Sequence, residues 1–192
     1  MHSNILPISG ALLAGGQGSR MGGKDKGLLI LQDCPLYQHV LRNLQPQVTS
    51  VVINANRNID RYAQSGLAVI RDSLADYPGP LAGILAVLNV VTSGWVAFAP
   101  CDMPWLPADW VNRLWQHREN APAVWVKSQQ RDHPTLAIIS ADLRGELQDY
   151  LATGQRRLMQ FLMQAGGHAV RLNDEERCFA NINTPADLTT GR

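Results

Sequence analysis

Five glycines and three cations fall within the fourteen residues from Leu13 to Lys26, directly after a short apolar run. Glycine has no Cβ to hold a ligand off the main chain, so successive backbone N–H groups can reach phosphate oxygens there, while Arg20 and Lys26 can neutralise a triphosphate. The chemistry these residue types and spacings allow is the gripping of a polyphosphate. Two familiar ways of doing so do not fit. Gly18 to Lys24 has the spacing of a Walker loop, but Asp25 stands where that loop needs the hydroxyl of Ser or Thr for magnesium. The dinucleotide fingerprint fails as well, because Gly16-x-Gly18 leads to Met21 where glycine or alanine belongs. A glycine-rich surface turn with incidental cations is the plainer alternative, and the position immediately after a strand argues against it.

Asp102 is the second candidate. It follows the apolar run from Trp95 to Cys101 and precedes a turn, which puts a carboxylate at the edge of a sheet. Mg²⁺ is usually held by one or two carboxylates together with substrate phosphates, so one aspartate is enough; capping of backbone N–H groups in the turn is the competing role. Asn54 and Asp72 also follow β-branched runs, and on residue type alone they are turn formers at strand ends. Gly79 and Gly83 flank the start of a helix beyond Asp72, where the lack of side chains admits a flat base or a sugar close to the backbone. Pro78-Gly79-Pro80 equally marks a turn. His2, His39, His117 and His168 have no metal-ligand spacing, no Cys-His cluster indicates zinc, and His133 is a candidate site residue for which the role of a satisfied structural histidine is the better expectation.

These residues need a frame that gathers strand ends. Ile8 to Leu13, Val51 to Ile53, Leu67 to Ile70 and Trp95 to Ala99 are short apolar or β-branched runs; between them Leu36, Val40 and Leu44, and then Leu81, Ile84, Leu85 and Leu88, keep helical spacing. The alternation predicts an α/β fold, a three-layer α/β/α sandwich with a mostly parallel, Rossmann-like sheet and ligands at the strand carboxyl ends. Beyond Ala121 the pattern loosens, with strands expected at Val124 to Lys127 and Thr135 to Ile139 and helices near Asp142 to Leu151 and Arg156 to Gln164. Without a repeat, linker or low-complexity tract, residues 1–192 are expected to form a single domain. Hydrophobic residues at 45% and charged residues at 17% exclude a disordered chain, and a net charge of +1 leaves no global field for nucleic acid or an anionic membrane. Three cysteines without a C-x-x-C pair suit the reduced thiols of a cytoplasm, and no run approaches the roughly 20 apolar residues of a membrane span.

The segments Leu13 to Lys26, Val52-Ile53-Asn54-Ala55-Asn56-Arg57, Asp72 to Gly83, Cys101-Asp102-Met103-Pro104, Arg131-Asp132-His133-Pro134-Thr135 and Asn181-Ile182-Asn183-Thr184-Pro185 together resemble the motifs of molybdenum cofactor guanylyltransferases, within the nucleotide-sugar pyrophosphorylase-like group. The likeness covers essentially the whole chain. It implies transfer of GMP from GTP to the terminal phosphate of molybdenum-molybdopterin, with release of pyrophosphate. It also implies Mg²⁺ as the cofactor, with Asp102 as its ligand. GTP binding is thereby assigned to Leu13, Ala14, Gly15, Gly16, Lys26, Asn54, Asp72, Gly79, Gly83 and Asp102, and catalysis to Asp102, Lys26 and Arg20. Molybdopterin binding falls to Arg157, Asn181 and Asn183, although Arg156 and Arg157 could equally form a solvated face. The N-terminal part is thus expected to take GTP and the C-terminal part to face the pterin, with cofactor-delivery and molybdoenzyme-maturation proteins as partners. A related CTP-using or sugar-phosphate-using nucleotidylyltransferase is the alternative; Gly15-Gly16 and Asp25-Lys26 favour guanine by resemblance. A non-catalytic, GTPase-like switch is suggested only by the near-Walker spacing.

Overall fold

In the computed structural model, which describes residues 6–15, 25–73, 79–92, 94–183 and 187, alternate positions along each central strand face opposite layers. The chain runs β1 (Ser9–Leu13), a two-stranded antiparallel ribbon of β2 (Ile30–Leu31) and β3 (Cys34–Pro35), α1 (Leu36–Leu44), β4 (Ser50–Asn54), α2 (Ile59–Ala63), β5 (Ala68–Ile70) and α3 (Pro80–Val90). It continues through β6 (Trp95–Pro100), α4 (Trp110–Gln116), β7 (Ala123–Lys127), β8 (Asp132–Ser140), α5 (Arg144–Ala152), α6 (Leu158–Gln164) and β9 (His168–Arg171). Seven strands form one sheet in the order β5-β4-β1-β6-β8-β7-β9, and β8 alone runs against the rest. The expected α/β/α sandwich with a mostly parallel sheet is what the chain adopts.

The period of two sorts the core. Ala97, Ala99, Val124, Val126, Leu136 and Ile138 pack on one face with α1, α2 and α4, whereas Val96, Phe98, Ala123, Trp125, Ala137 and Ile139 pack on the other with α3, α5 and α6. Because both faces are covered, these strands read as continuous apolar runs rather than as alternating ones. The helix α3 is apolar all round, with Leu81 to Leu88 buried without a break, as suits a helix wedged between the sheet and α5.

Three boundaries differ from expectation. The helix expected from Asp142 opens as a 3-10 turn at Ala141–Leu143, with Ser140 Oγ accepting from the Asp142 N–H, and the α-helix proper begins at Arg144. The helix α6 starts at Leu158 because Arg157 is extended, at φ −91° and ψ 107°. The strand β8 reaches back to Asp132, and its pairing with β7 jumps from Trp125↔Ala137 to Val126↔His133. Pro134 lies in the skipped stretch, and it has no N–H to give to a ladder. The irregularity carries the Arg131–His133 segment over the carboxyl edge of the sheet, beside the exit of β6. Among the described residues no helix is long and apolar enough to cross a membrane.

Candidate active site

The exits of β1 and β6 are stitched together, since the Cys101 N–H donates to Leu13 O at 3.1 Å. That bond sets Asp102 beside the end of the first strand. Lys26 opens a 3-10 turn, and its Nζ lies 3.3 Å from Asp102 Oδ2 and 2.7 Å from Asn183 Oδ1. The other carboxylate oxygen of Asp102 accepts from Asn181 Nδ2 at 2.9 Å. Asn181 and Asn183 thus both turn their side chains toward the Lys26–Asp102 pair. Between them Ile182 is buried against Leu31 and Leu36, and its N–H donates to Asp102 O at 2.9 Å. Four polar residues from three distant parts of the chain therefore converge at one strand exit.

Lys26 is aimed by its neighbours. The carboxylate of Asp25 accepts from Tyr62 Oη at 2.6 Å and from Asn58 Nδ2 at 2.9 Å, and Asn58 holds a left-handed φ of 50° at the start of α2. With both oxygens of Asp25 turned to α2, that carboxylate positions the chain. A Cβ on Gly27 would collide with the Tyr62 hydroxyl. Burial, helped by Cys101 and Asp25, pushes the Tyr62 pKa far above its ordinary value, so the hydroxyl is a permanent donor.

A second cluster forms at the ends of β1, β4 and β5. The Ala14 N–H donates to Asn54 O at 2.8 Å, which brings Gly15 against the Asn54 and Asn56 side chains. Asn54 is 2% exposed; its amide donates to Asp72 Oδ1 at 2.8 Å and to Ile70 O at 3.2 Å. Asn56 grips Asp72 twice, giving its amide hydrogen to Oδ2 at 2.9 Å and taking the Asp72 N–H at 2.9 Å. Gly83, on α3, faces Asn54 so closely that no Cβ would fit. Gly79 has φ +127°, a conformation that glycine alone adopts readily, and its turn feeds Pro80 into the first position of α3.

His133 is 3% exposed, with Nε2 3.2 Å from Ser128 Oγ and its ring tilted against Phe179. Burial and the charge of Arg131 hold its pKa below the usual value, which fits the structural role expected for it. Of the residues singled out in the sequence, Lys26, Asp102, Asn181 and Asn183 meet directly, and Ala14, Gly15, Asn54, Asp72 and Gly83 form the second cluster. Leu13 ends the strand beneath both. Gly16 and Arg20 lie outside the described residues. Arg157 is exposed at the start of α6 and its side chain bonds to none of the others. Asn56, Asn58, Tyr62 and Arg131 were not singled out; Asn56 and Arg131 stood inside recognisable motifs, but their partners are 16 and 50 residues away.

Comparison with known proteins places the chain in a family. The MobA-like NTP transferase domain model matches residues 10–182. A Yersinia pestis protein named molybdenum cofactor guanylyltransferase is 47% identical over 180 residues, which covers 94% of this chain and 92% of the relative; its counterpart from Yersinia pseudotuberculosis is 46% identical. Among solved structures, the Archaeoglobus fulgidus molybdopterin-guanine dinucleotide biosynthesis protein A superposes with a TM-score of 0.76 at 26% identity, covering 95% of both chains. A Methanothermobacter nucleotidyl transferase shares the fold, with a TM-score of 0.75 at 20% identity over 95% of this chain and 94% of that one. The chain belongs to the MobA-like NTP transferase domain family and, within it, to the molybdenum cofactor guanylyltransferases.

Proposed function

We propose that this chain transfers GMP from GTP to the terminal phosphate of molybdenum-molybdopterin in the cytoplasm, releasing pyrophosphate, with Mg²⁺ as its metal. The observation that carries the proposal is the convergence of Lys26, Asp102, Asn181 and Asn183 beside the Asn54–Asp72 cluster. Asp102 suits a hard cation, as a carboxylate at a strand exit, and no group of three or more His, Cys, Asp or Glu among the described residues could cage a metal. Phosphate oxygens and water would complete the shell, which is the usual setting for Mg²⁺. Bound there, the cation supplies neutralisation of polyphosphate charge.

The chain's own residues have separable tasks. The backbone from Leu13 to Gly16, together with Lys26 and Arg20, takes the triphosphate. Asn54 and Asp72 take ribose or guanine, bordered by Gly79 and Gly83. Asn181, Asn183 and Arg157 face the pterin, which is handed over by delivery proteins and passes on to molybdoenzyme-maturation proteins. The acceptor is a phosphate monoester with a second pKa of about 6, already largely a dianion at neutral pH, so no protein base has to remove a proton. What remains is to align two anions for in-line displacement at the α-phosphorus and to offset their repulsion, which is the work of Lys26 and its neighbours. The direct test is pyrophosphate release. It should appear from GTP, and not from CTP or ATP, only when molybdopterin is added; hydrolysis of GTP to GDP without the pterin would refute the proposal.

A further inference from the structure

Arg131 stands out because its guanidinium, which has no acidic partner among the described residues, is tied through one amide to Asp102. Within that set its guanidinium makes one hydrogen bond, from Nη2 to Asn181 Oδ1 at 2.8 Å, and it forms no ion pair. The side chain is exposed, and a guanidinium has five donors in a fixed fork. The turn that presents it is built with care. Ser128, with no exposed surface, donates its hydroxyl to Glu176 Oε1 at 2.8 Å, and its Oγ takes the N–H groups of Gln130 and Arg131 at 3.4 and 3.3 Å. His133 Nε2 lies 3.2 Å from the same Oγ, and the Ser128 N–H donates to Arg131 O at 2.9 Å. Burying a serine at the centre of a surface turn is unfavourable unless its bonds are made. Here they are made, and two of them, from the Arg131 N–H to Ser128 Oγ and from the Ser128 N–H to Arg131 O, hold the backbone of Arg131 directly.

The location gives that rigidity a use. The Asn181 amide bridges Arg131 to Asp102, taking from the first through Oδ1 and giving to the second through Nδ2. Lys26 addresses the other oxygen of Asp102. One cation therefore lies on the side of the phosphate-gripping segment, and the other lies one amide away on the side of β8. We infer that Arg131 binds the phosphate monoester of the acceptor, holding it for attack while Lys26 holds the donor. The inference rests on the guanylyl-transfer reading, which requires a second phosphate to arrive beside Asp102. A planar fork pairs with two phosphate oxygens at once, which an ammonium cannot do.

The test is steady-state kinetics of R131Q and R131K with purified molybdopterin, alongside titration of a fluorescent GTP analogue. R131Q should raise the KM for molybdopterin by about ten- to a hundredfold, the worth of a charged hydrogen bond, with affinity for the GTP analogue within about twofold of the parent. R131K should recover part of the loss, and S128A, which only loosens the turn, should raise the same KM to a smaller degree. Inorganic phosphate should compete with molybdopterin in the parent enzyme and lose that effect in R131Q. An unchanged KM in R131Q, or an equal fall in GTP affinity, overturns the assignment and leaves guanylyl transfer standing. A parent enzyme that releases no pyrophosphate with molybdopterin overturns both.

Discussion

Gly83→Ala should destabilise this protein, although the same change in an ordinary helix interior stabilises by roughly 0.5–1 kcal/mol. The new Cβ would lie 2.9 Å from Asn54 Cγ and closer still to Oδ1. Asn54 cannot swing aside without cost, because it is 2% exposed and its amide is committed to Asp72 and Ile70. Overpacking of a filled site costs about 1–3 kcal/mol, and each broken hydrogen bond about 1 more. The clash outweighs the helical gain, and the expected net loss is about 1–3 kcal/mol. Urea unfolding of the free protein measures it. Gly145→Ala serves as the control, since that glycine sits in α5 where an added Cβ would meet nothing within 4 Å, and it should show only the helical gain. Because the displaced amide gives up its bond to Asp72 Oδ1 and leaves that carboxylate held by Asn56 alone, affinity for a fluorescent GTP analogue should also fall, by roughly tenfold. A Gly83→Ala protein as stable as Gly145→Ala, with unaltered GTP binding, would refute the claim that α3 clamps Asn54 against the ligand edge.

Three other outcomes follow from the geometry. Asp102→Asn keeps the shape but removes the charge facing Lys26, and should lower kcat by about a hundredfold or more across a magnesium titration of pyrophosphate release; full activity would take Asp102 out of the mechanism. Tyr62→Phe deletes the 2.6 Å bond to the Asp25 carboxylate and should cost about 1.5 kcal/mol in urea unfolding, whereas no loss would mean that water replaces the hydroxyl. His133 has a folded-state pKa below its ordinary value of about 6.5, so folding favours the neutral ring; its contribution is complete above that value and is lost as pH falls through the lower folded pKa. Thermal stability should therefore drop more steeply in the parent than in His133→Gln as pH falls below the ordinary histidine value of about 6.5. Parallel profiles would mean that His133 does not contribute to the acid sensitivity.

The first half of the fold was legible because parallel strands covered on both faces leave continuous apolar runs, and α1 and α3 are long enough to show a period. The short elements were less so, in either half. The helices α2 and α4 have five and seven residues, and β9 has four, too few for a periodic signal. The ribbon of β2 and β3 turns on Gln32 and Asp33, at φ 49° and 61°, and neither is the glycine that usually announces such a turn. The site divides in the same way. Glycines and a carboxylate at strand ends could be read locally, whereas the hold of Asn56 on Asp72 and of Arg131 on Asn181 exists only after distant strands pair. Arg157, chosen by likeness, stands apart from both clusters because extended backbone delays α6 until Leu158 and leaves its side chain facing solvent.

The segment 181–183 has a structural task beside the pterin-facing one proposed for it. Asn181 and Asn183 occupy the partners of the metal-binding candidate, Asp102 Oδ1 and the Lys26 ammonium, while Ile182 roots them among Leu31 and Leu36. Leu31 lies five residues beyond Lys26, and Leu36 starts the helix that follows, so the exit of the phosphate-gripping segment and the C-terminal segment pack on a common apolar cluster. Both also bear on the same carboxylate, Lys26 at Oδ2 and Asn181 at Oδ1 of Asp102. A ligand that draws Lys26 toward its phosphates must break or stretch the bonds to Asn183 and Asp102, freeing an amide oxygen and a carboxylate oxygen on the acceptor side. In the proposed reaction, donor binding would thus bear on the acceptor side through Lys26, whose ammonium donates to Asp102 Oδ2 at 3.3 Å and to Asn183 Oδ1 at 2.7 Å.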